Sequence, residues 1–345
     1  MKTLLLVIIL AHGGFWFGNT PNAIDVRWSA PAAQMPPAAL TWTLSYDTVT
    51  LARGQTDLAA EGPTSLTIKL PEVRTMSDYA WRYELKEKHT GKSLAQGQQI
   101  IHACPPNLLS DTARRLGQSR RCLLERGDDL GNLLKAAGID VKKLGSTADL
   151  QLQKADLVLV GQDALPESEP AQRVLLDKAR DGARVLVLAQ KKARQALDIP
   201  LRNRALKLPL TWRTHHEIFD RLDAPALELW VRQQTSEVTV LALPADAPVF
   251  ELAFFSRETP GTDPAPIDAL VATQTLGSGR ILWWQLPVES WNDDPRTAIL
   301  LANALDYLLT PPEPTLPSSQ RNPPAPDKKA LPTTKSGLVS IGEQP

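Results

Sequence analysis

Two loops carry polar residues in positions where a ligand could bind. Gly161-Gln162-Asp163 follows the apolar run Leu157–Val160, and Gln190 comes soon after a second run, Val185–Leu188. Branched aliphatic runs bounded by polar residues are typical of parallel strands that are buried on both faces. The loops after the carboxyl ends of such strands form the crevice of a doubly wound sheet. We therefore predict that Gly161, Gln162, Asp163 and Gln190 form the rim of a binding crevice.

Neither loop offers a nucleophile. No Cys, Ser or His occurs in either loop, and Gln190 has no nucleophilic atom and no titratable proton. Cys122 lies inside a predicted strand, where a thiol is usually a small buried hydrophobe, and Cys104 precedes two prolines in a linker. We predict no catalytic residue. The enzymatic alternative is an amide hydrolase in which the Cys122 thiol lies within hydrogen-bond reach of His215 or His216.

Other titratable residues form no recognisable constellation. His215-His216-Glu217 is the one histidine cluster, but adjacent side chains on an extended segment point to opposite faces, and the spacing matches no zinc motif. A glycosidase needs two carboxylates that flank a sugar, and nothing in the sequence pairs Asp163, Glu167 or Glu169. The sequence therefore predicts no metal site and no cofactor.

Aromatic residues suggest a sugar-stacking surface. The chain has nine tryptophans, of which Trp42, Trp81 and Trp283 lie in apolar alternation and are predicted to be core residues. Trp284 and Trp291 flank a short segment at the end of a predicted strand. These two are our candidates for stacking on the apolar faces of sugar rings.

Composition and the N-terminal segment bound the class of protein. The 345 residues suffice for two domains, and 38 basic against 38 acidic side chains give no electrostatic footprint for nucleic acid or an anionic membrane.

Met1–Ala11 places one lysine before a short apolar run, which is typical of a secretory signal. We predict a signal peptide over residues 1–23 and export to the periplasm or the extracellular space. The alternatives are an uncleaved membrane anchor, prolonged by Phe15–Phe17, and a buried first strand.

The elements that would position these residues divide into two domains. Residues 24–103 show short alternating runs with turn signals, which predict an antiparallel, immunoglobulin-like β-sandwich. Cys104-Pro105-Pro106 interrupts the alternation, and residues 107–309 predict an α/β domain of flavodoxin-like type. The proline-rich residues 310–345 predict a disordered tail. The two cysteines could form one disulfide if the chain is exported.

Within the α/β domain, helix and strand signals alternate. Asp128–Ala137 predicts a helix that ends at Gly138, and a second helix is predicted to begin at Pro170 and to end at Gly182. Leu227–Val231 is predicted as a strand, and Gly277-Ser278-Gly279 as a hairpin turn. Asp294-Pro295 predicts the start of a final amphipathic helix.

The order of these parts resembles the C-terminal region of bacterial glycoside-hydrolase-family-2-like proteins, in which an immunoglobulin-like sandwich precedes a class I glutamine-amidotransferase-like domain. The segments that carry the resemblance are, in chain order, Leu66–Val73, Ala155–Leu165, Asp181–Gln190, Leu222–Trp230 and Gly277–Leu286. It covers about Leu40 to Leu309. The amidotransferase-like fold implies a nucleophile, usually Cys, on the sharp turn after a central strand, and this chain has Gln190 at that turn.

The resemblance implies an accessory role. In that family the sugar-cleaving carboxylates lie in an upstream barrel, which needs about 200 residues or more, and only about 20 precede the sandwich here. We therefore expect a non-catalytic binding or assembly protein associated with carbohydrate processing. Its expected partners are a carbohydrate or a separate glycosidase chain, with membrane contact only if the N-terminal segment is uncleaved. If the chain is an enzyme, we expect a hydrolase.

Overall fold

The chain forms two compact units, seen here in a computed structural model that describes residues 5–29, 37–58, 64–244, 246–255, 266–288, 290 and 293–310. Unit 1 comprises the described residues up to Pro106, and unit 2 those from Asn107 onward. The protein is mostly β and contains several sheets. The predicted disordered tail lies outside the described residues, except for its first residue, Thr310.

Unit 1 is built from two sheets. Its strands are β1 (Leu5–Leu10), β2 (Phe15–Phe17), β3 (Pro21–Ser29), β4 (Ala38–Tyr46), β5 (Val49–Asp57), β6 (Thr64–Lys69), β7 (Ser77–Glu87) and β8 (Ser93–Cys104), with a 3-10 turn at Ala11–Gly14. One sheet has the order β1-β3-β6 and the other β2-β8-β7-β4-β5. All pairs are antiparallel except the parallel pair of β2 with β8. These two sheets fit the predicted antiparallel sandwich.

The core of unit 1 follows from alternation along its long strands. Leu40 and Leu44 on β4 face the same side as Trp81 and Leu85 on β7, their register partners, and each of the four is at most 1% exposed. The predicted core position of Trp81 is confirmed, because none of its surface is exposed. Trp42 is partly buried and packs against the same core.

The N-terminal segment is part of unit 1. Leu5–Leu10 forms β1, whose residues pair with Ile24–Ser29 of β3, and Trp16 in β2 is fully buried. The sequence pattern predicts a signal peptide here, and a buried first strand is the alternative. In the structure, Leu5–Leu10 forms a strand. Cleavage after Ala23 would remove β1, β2 and the first three residues of β3. No helix in the described part of the chain is long and apolar enough to cross a membrane.

Unit 2 contains one large mixed sheet with helices. Its elements are α1 (Ser110–Leu116), β9 (Arg121–Leu124), α2 (Asp129–Ala136), β10 (Lys142–Leu144), α3 (Thr147–Gln151), β11 (Leu157–Val160), α4 (Glu169–Arg180), β12 (Arg184–Val187), β13 (Gln195–Ala196), β14 (Ile199–Ala205), β15 (Leu210–Trp212), α5 (Ala224–Gln234), β16 (Glu237–Leu243), β17 (Phe250–Phe255), β18 (Ile267–Leu276), β19 (Gly279–Trp284) and α6 (Pro295–Leu309). A 3-10 turn occupies Glu217–Phe219.

The sheet of unit 2 is parallel on one side and antiparallel on the other. The order β10-β9-β11-β12-β19 is parallel throughout, and β18, β16, β14 and β13 continue it in antiparallel pairing. All four residues of β11 are buried, as the unbroken apolar run predicts for a strand covered on both faces. The carboxyl ends of β9, β11, β12 and β19 therefore meet at one edge of the sheet.

The hairpin between β18 and β19 needs glycine for a steric reason. Gly277 has a φ of +60°, and a Cβ placed there would lie 2.3 Å from the carbonyl oxygen of Arg180 at the end of α4. A Cβ at Gly279 would lie 2.1 Å from the carbonyl oxygen of Ala179. The predicted turn at residues 277–279 is thus confirmed, and its glycines allow the last turn of α4 to pack directly on the hairpin.

One predicted element is wrong. Leu227–Val231 lies inside helix α5 and not in a strand. The Asp223 carboxylate caps this helix by accepting a hydrogen bond from the Ala226 amide at 2.8 Å, and Pro225 occupies its first turn. Leu227, Trp230 and Val231, spaced as i, i+3 and i+4, are fully buried. The same residues read as an apolar strand when the cap is overlooked.

Candidate functional site

A cavity of about 510 Å³ lies in unit 2 at the carboxyl ends of the parallel strands. The loops after β9, β11, β12 and β19 and one face of α2 line it, with the residues Glu125, Arg126, Gly127, Asp129, Leu130, Asn132, Leu133, Ala136, Gly161, Gln162, Leu188 and Val288. One side is apolar because Leu130, Leu133 and Leu188 face it. A cavity of this volume with apolar walls and few polar groups is typical of a small-molecule site.

Glu125 supplies the buried charge of this cavity. Its side chain is 6% exposed. Oε2 accepts a hydrogen bond from the Gly131 amide in the first turn of α2, at 3.3 Å. Oε1 forms an ion pair with Nζ of Lys143 at 3.7 Å, which is beyond hydrogen-bond distance, and it accepts no hydrogen bond among the described residues. A buried carboxylate oxygen without a donor is costly, so this atom is suited to accept a hydrogen bond from a ligand or water.

Two glycines make room for the Glu125 side chain. A Cβ on Gly131 would lie 2.7 Å from Oε1 of Glu125, and a Cβ on Gly161 would lie 3.0 Å from Cβ of Glu125. Gly161 is also fixed to the neighbouring strand, because its amide donates to the carbonyl oxygen of Leu124 at 2.7 Å. Any larger residue at these two positions would displace the carboxylate from its place in the cavity wall.

The four predicted rim residues divide into two groups. Gly161 and Gln162 line the cavity. Asp163 and Gln190 instead brace the loops: the Asp163 backbone has a φ of +52°, and its carboxylate accepts a hydrogen bond from the Lys192 amide at 3.1 Å. Gln190 is fully buried, so its predicted place on an open rim is wrong.

Gln190 ties three loops together. Its Nε2 donates to the carbonyl oxygens of Gly161 at 2.9 Å and Leu188 at 2.7 Å, and its Oε1 accepts from the Leu165 amide at 2.9 Å. Its own amide donates to Oε1 of Gln285 after β19, at 3.0 Å. Every polar atom of the Gln190 side chain is therefore used to hold the loops that frame the cavity.

Trp284 is not a surface residue. It is 2% exposed, and all six residues of β19 are buried because the strand has a neighbour on each side and is covered on both faces. The predicted stacking of a sugar on Trp284 is therefore wrong for this folded state. Trp283 is also fully buried, as predicted for a core residue. Trp291 lies outside the described residues, and its role stays a prediction.

The cysteines and histidines do not form a nucleophilic pair. Cys122 is 3% exposed within β9, and burial raises the pKa of its thiol, so the reactive thiolate is disfavoured. No hydrogen bond joins this thiol to His215 or His216 among the described residues. The amide-hydrolase hypothesis built on Cys122 is therefore wrong. Cys104, in unit 1, is likewise buried, and its Sγ donates to the carbonyl oxygen of His102 at 3.7 Å.

His216 is also committed to structure. Its Nδ1 accepts a hydrogen bond from the Ile218 amide at 3.3 Å, and its ring lies edge-on to Tyr307 with 4.8 Å between centroids. Burial, and secondarily the positive charge of Arg280, lower the pKa of His216 to about 4. Among the described residues no group of three or more His, Cys, Asp or Glu side chains is arranged to hold a metal ion.

Comparisons with known proteins find distant structural neighbours. No family model and no curated protein matches the chain. The CARDB domain of a Pyrococcus furiosus protein is similar with a TM-score of 0.23 and 9% identity, over 30% of this chain and 94% of that one. A β-glucuronidase from Parabacteroides merdae is similar with a TM-score of 0.19 and 11% identity, over 54% of this chain and 24% of that one. A cycloisomaltooligosaccharide glucanotransferase from Paenibacillus is similar with a TM-score of 0.23 and 8% identity, over 55% of this chain and 27% of that one.

These neighbours include carbohydrate-active enzymes, and the chain spans about a quarter of the length of each. At TM-scores of 0.19 to 0.23 the similarities establish neither a shared fold nor a shared activity.

Proposed function

We propose that this chain is a non-catalytic binding protein associated with carbohydrate processing, and that unit 2 holds a small hydroxyl-rich ligand in the cavity beside Glu125. The observation that carries the proposal is Oε1 of this buried carboxylate, which lies in the wall of a 510 Å³ cavity and accepts no hydrogen bond among the described residues. Sugar hydroxyls are donors that could pair with it, and the apolar side formed by Leu130 and Leu133 could pack on the carbon face of a ring.

The fold of unit 2 is proposed to be a degenerate amidotransferase-like domain. The parallel strands follow the order second, first, third, fourth and last in the chain, which is the flavodoxin-like arrangement. The turn after β12, where such domains carry their nucleophile, holds Gln190, and both polar atoms of its side chain form hydrogen bonds with the surrounding loops. That use of the position supports a role in shaping the crevice and not in bond cleavage.

Export and a separate glycosidase partner chain complete the proposal. Export is proposed from the short apolar segment near the N-terminus, and the partner from the carbohydrate-related role proposed above. Because Leu5–Leu10 also forms β1, we propose that the exported chain keeps this segment. Mass spectrometry of the intact protein purified from the native cell envelope measures its N-terminus directly; a chain that begins at residue 24 contradicts the retained strand.

The binding test uses a defined panel of neutral sugars on the full chain. Glucose, galactose, N-acetylglucosamine and their β-1,4-linked disaccharides are screened by thermal shift, and hits are measured by titration calorimetry. Glu125→Gln should weaken binding about tenfold or more, because a hydrogen bond to a charged acceptor becomes a neutral one. Gly131→Ala should also weaken it, since its Cβ displaces the same oxygen.

Glu169→Gln is the matched control, because Glu169 is an exposed carboxylate of the same unit that pairs with Arg173. Binding that is unchanged in Glu125→Gln, or lost equally in Glu169→Gln, contradicts the site. Absence of binding to the whole panel contradicts the ligand class. Turnover of glutamine or aryl glycosides by the purified chain, abolished by one defined substitution, would overturn the non-catalytic role.

A further inference from the structure

The outer face of the larger sheet in unit 1 carries a second cavity, of about 550 Å³. It lies along β4 between β5 and β7, and we call it the β4 trough. The strand register explains its shape. Thr41 lies between Gln55 and Glu84, and Thr43 lies between Arg53 and Arg82. Two short side chains thus form the floor, and four long side chains form the walls.

All six of these side chains lie on the face opposite the core. Leu40, Trp42 and Leu44 alternate with the threonines along β4 and face the core instead. The walls stand two strand spacings apart, or about 10 Å between backbones. Hydroxyl, carboxamide, carboxylate and guanidinium groups therefore face one another across a space that is wide enough for a sugar ring.

The charge of the trough is unbalanced. The carboxylates on this face have partners: Glu84 lies 2.9 Å from Lys86, Asp57 lies 2.6 Å from Lys88, and Asp78 lies 2.7 Å from His102. The two arginines have none. Arg82 donates to Oε1 of Gln98 at 2.9 Å and to Oγ of Ser45 at 3.2 Å, which are neutral groups.

Arg53 is exposed, and among the described residues its guanidinium has no recorded partner. Two arginines without a carboxylate partner are therefore the cross-strand neighbours of Thr43. A guanidinium pairs with a carboxylate through two parallel hydrogen bonds.

We propose that the β4 trough binds an acidic oligosaccharide, with a sugar carboxylate between Arg53 and Arg82. The remaining walls suit the rest of such a ligand, because Gln55 and Glu84 offer acceptors to sugar hydroxyls and Thr43 offers a donor. Trp42, Gly54 and Tyr83 complete the lining. This site belongs to unit 1 and does not depend on the cavity beside Glu125.

The test compares two probes with the same sugar backbone, one with ionised carboxylates and one with neutral methyl esters. Trigalacturonic acid and its fully methyl-esterified form are titrated into the full chain by calorimetry at low and at physiological salt. The acid should bind, and binding should weaken with salt because exposed charges are screened. The ester should bind at least fivefold more weakly.

Arg53→Gln should weaken binding of the acid about fivefold, the upper range for one exposed ion pair. The Arg53→Gln variant should fold normally, because the guanidinium makes no hydrogen bond or ion pair with the described residues. An unchanged Tm checks this. Arg82→Gln should have a similar effect, and Arg82→Lys should restore part of it. Arg27→Gln is the control, because Arg27 is an exposed arginine on β3 of the other sheet.

Equal affinity for the acid and its ester, no binding of the acid, or equal losses in Arg27→Gln and Arg53→Gln would each overturn the proposal. Displacement of the acid by inorganic phosphate at lower concentration would assign the arginines to phosphate and overturn it as well. Glu125→Gln should leave acid binding unchanged, which separates this site from the cavity in unit 2.

Discussion

Replacing Gln190 with leucine tests whether this side chain holds the crevice loops together. Leucine has nearly the same volume but leaves the buried amide of Leu165 without a partner and removes one partner each from the carbonyl oxygens of Gly161 and Leu188. The Gly161 oxygen keeps its bond from the Ala164 amide at 3.2 Å. The Leu165 amide and the Leu188 carbonyl oxygen thus lose their hydrogen-bond partners, and at about 1–3 kcal/mol each the expected loss of stability is about 2–6 kcal/mol.

The loss should appear in unit 2 alone. At about 2–4 °C per kcal/mol for a unit of this size, its Tm should fall by about 4–24 °C. Hydrogen exchange followed by mass spectrometry should show lost protection in peptides covering residues 157–166, while peptides from β4 and β7 stay protected. Gln162→Leu is the matched control, because Gln162 lies two residues after β11 and is only half-buried. Stability of Gln190→Leu within about 0.5 kcal/mol of this control would refute the bracing role.

Three further predictions concern other buried groups. The pKa of His216 is about 4 in the folded chain, against an ordinary value of 6.5, so the unfolded chain binds the proton at higher pH. The free energy of unfolding should therefore fall as the pH drops from about 6.5 to 4. His216→Phe should flatten this part of a series of urea midpoints measured at different pH values. The Cys122 thiol should react with iodoacetamide much more slowly than free cysteine at pH 8 until denaturant is added; fast labelling of the native chain would contradict its burial. Deletion of residues 1–23 should abolish folding of unit 1, because it removes β1 and the fully buried Trp16; a soluble deletion variant with unit 1 still protected from exchange would refute the assignment of β1.

Elements with strong local signals could be predicted from the sequence. The apolar runs of β11 and β12, the Asp294-Pro295 start of α6 and the glycine turn before β19 all occur near their predicted positions. Each depends on residues close in the chain: the Asp294 side chain accepts from the Arg296 amide, two residues later. Helix α5 was missed because its apolar residues fit both a short strand and one helix face, and only its cap at Asp223 separates the two.

Burial of the polar and aromatic candidates could not be predicted in the same way. Trp283 and Trp284 point to opposite faces of β19. If this strand had one face open to solvent, one of the two tryptophans would be exposed. Both are buried because β19 is central in the sheet and the helices α4 and α6 pack against it. Its pairing with β12 joins segments about 100 residues apart, which local sequence patterns do not reveal. Glu125 was overlooked for a related reason. A carboxylate after a strand is ordinary, and only contact with Gly131 and Gly161 makes this one buried.

The two proposed sites arise from different properties of β-sheets. In unit 2 the strands are parallel, so their carboxyl ends and the following loops collect at one edge, and residues from distant segments such as Glu125 and Gly161 come together there. In unit 1 the strands are antiparallel, and cross-strand register decides which side chains stand side by side. A shift of one residue in the pairing of β4 would turn Thr41 and Thr43 to the core and Trp42 to solvent. The burial of Leu40 and Leu44 therefore fixes the β4 trough as firmly as it fixes the core, so variants at Arg53 can test binding without disturbing the fold.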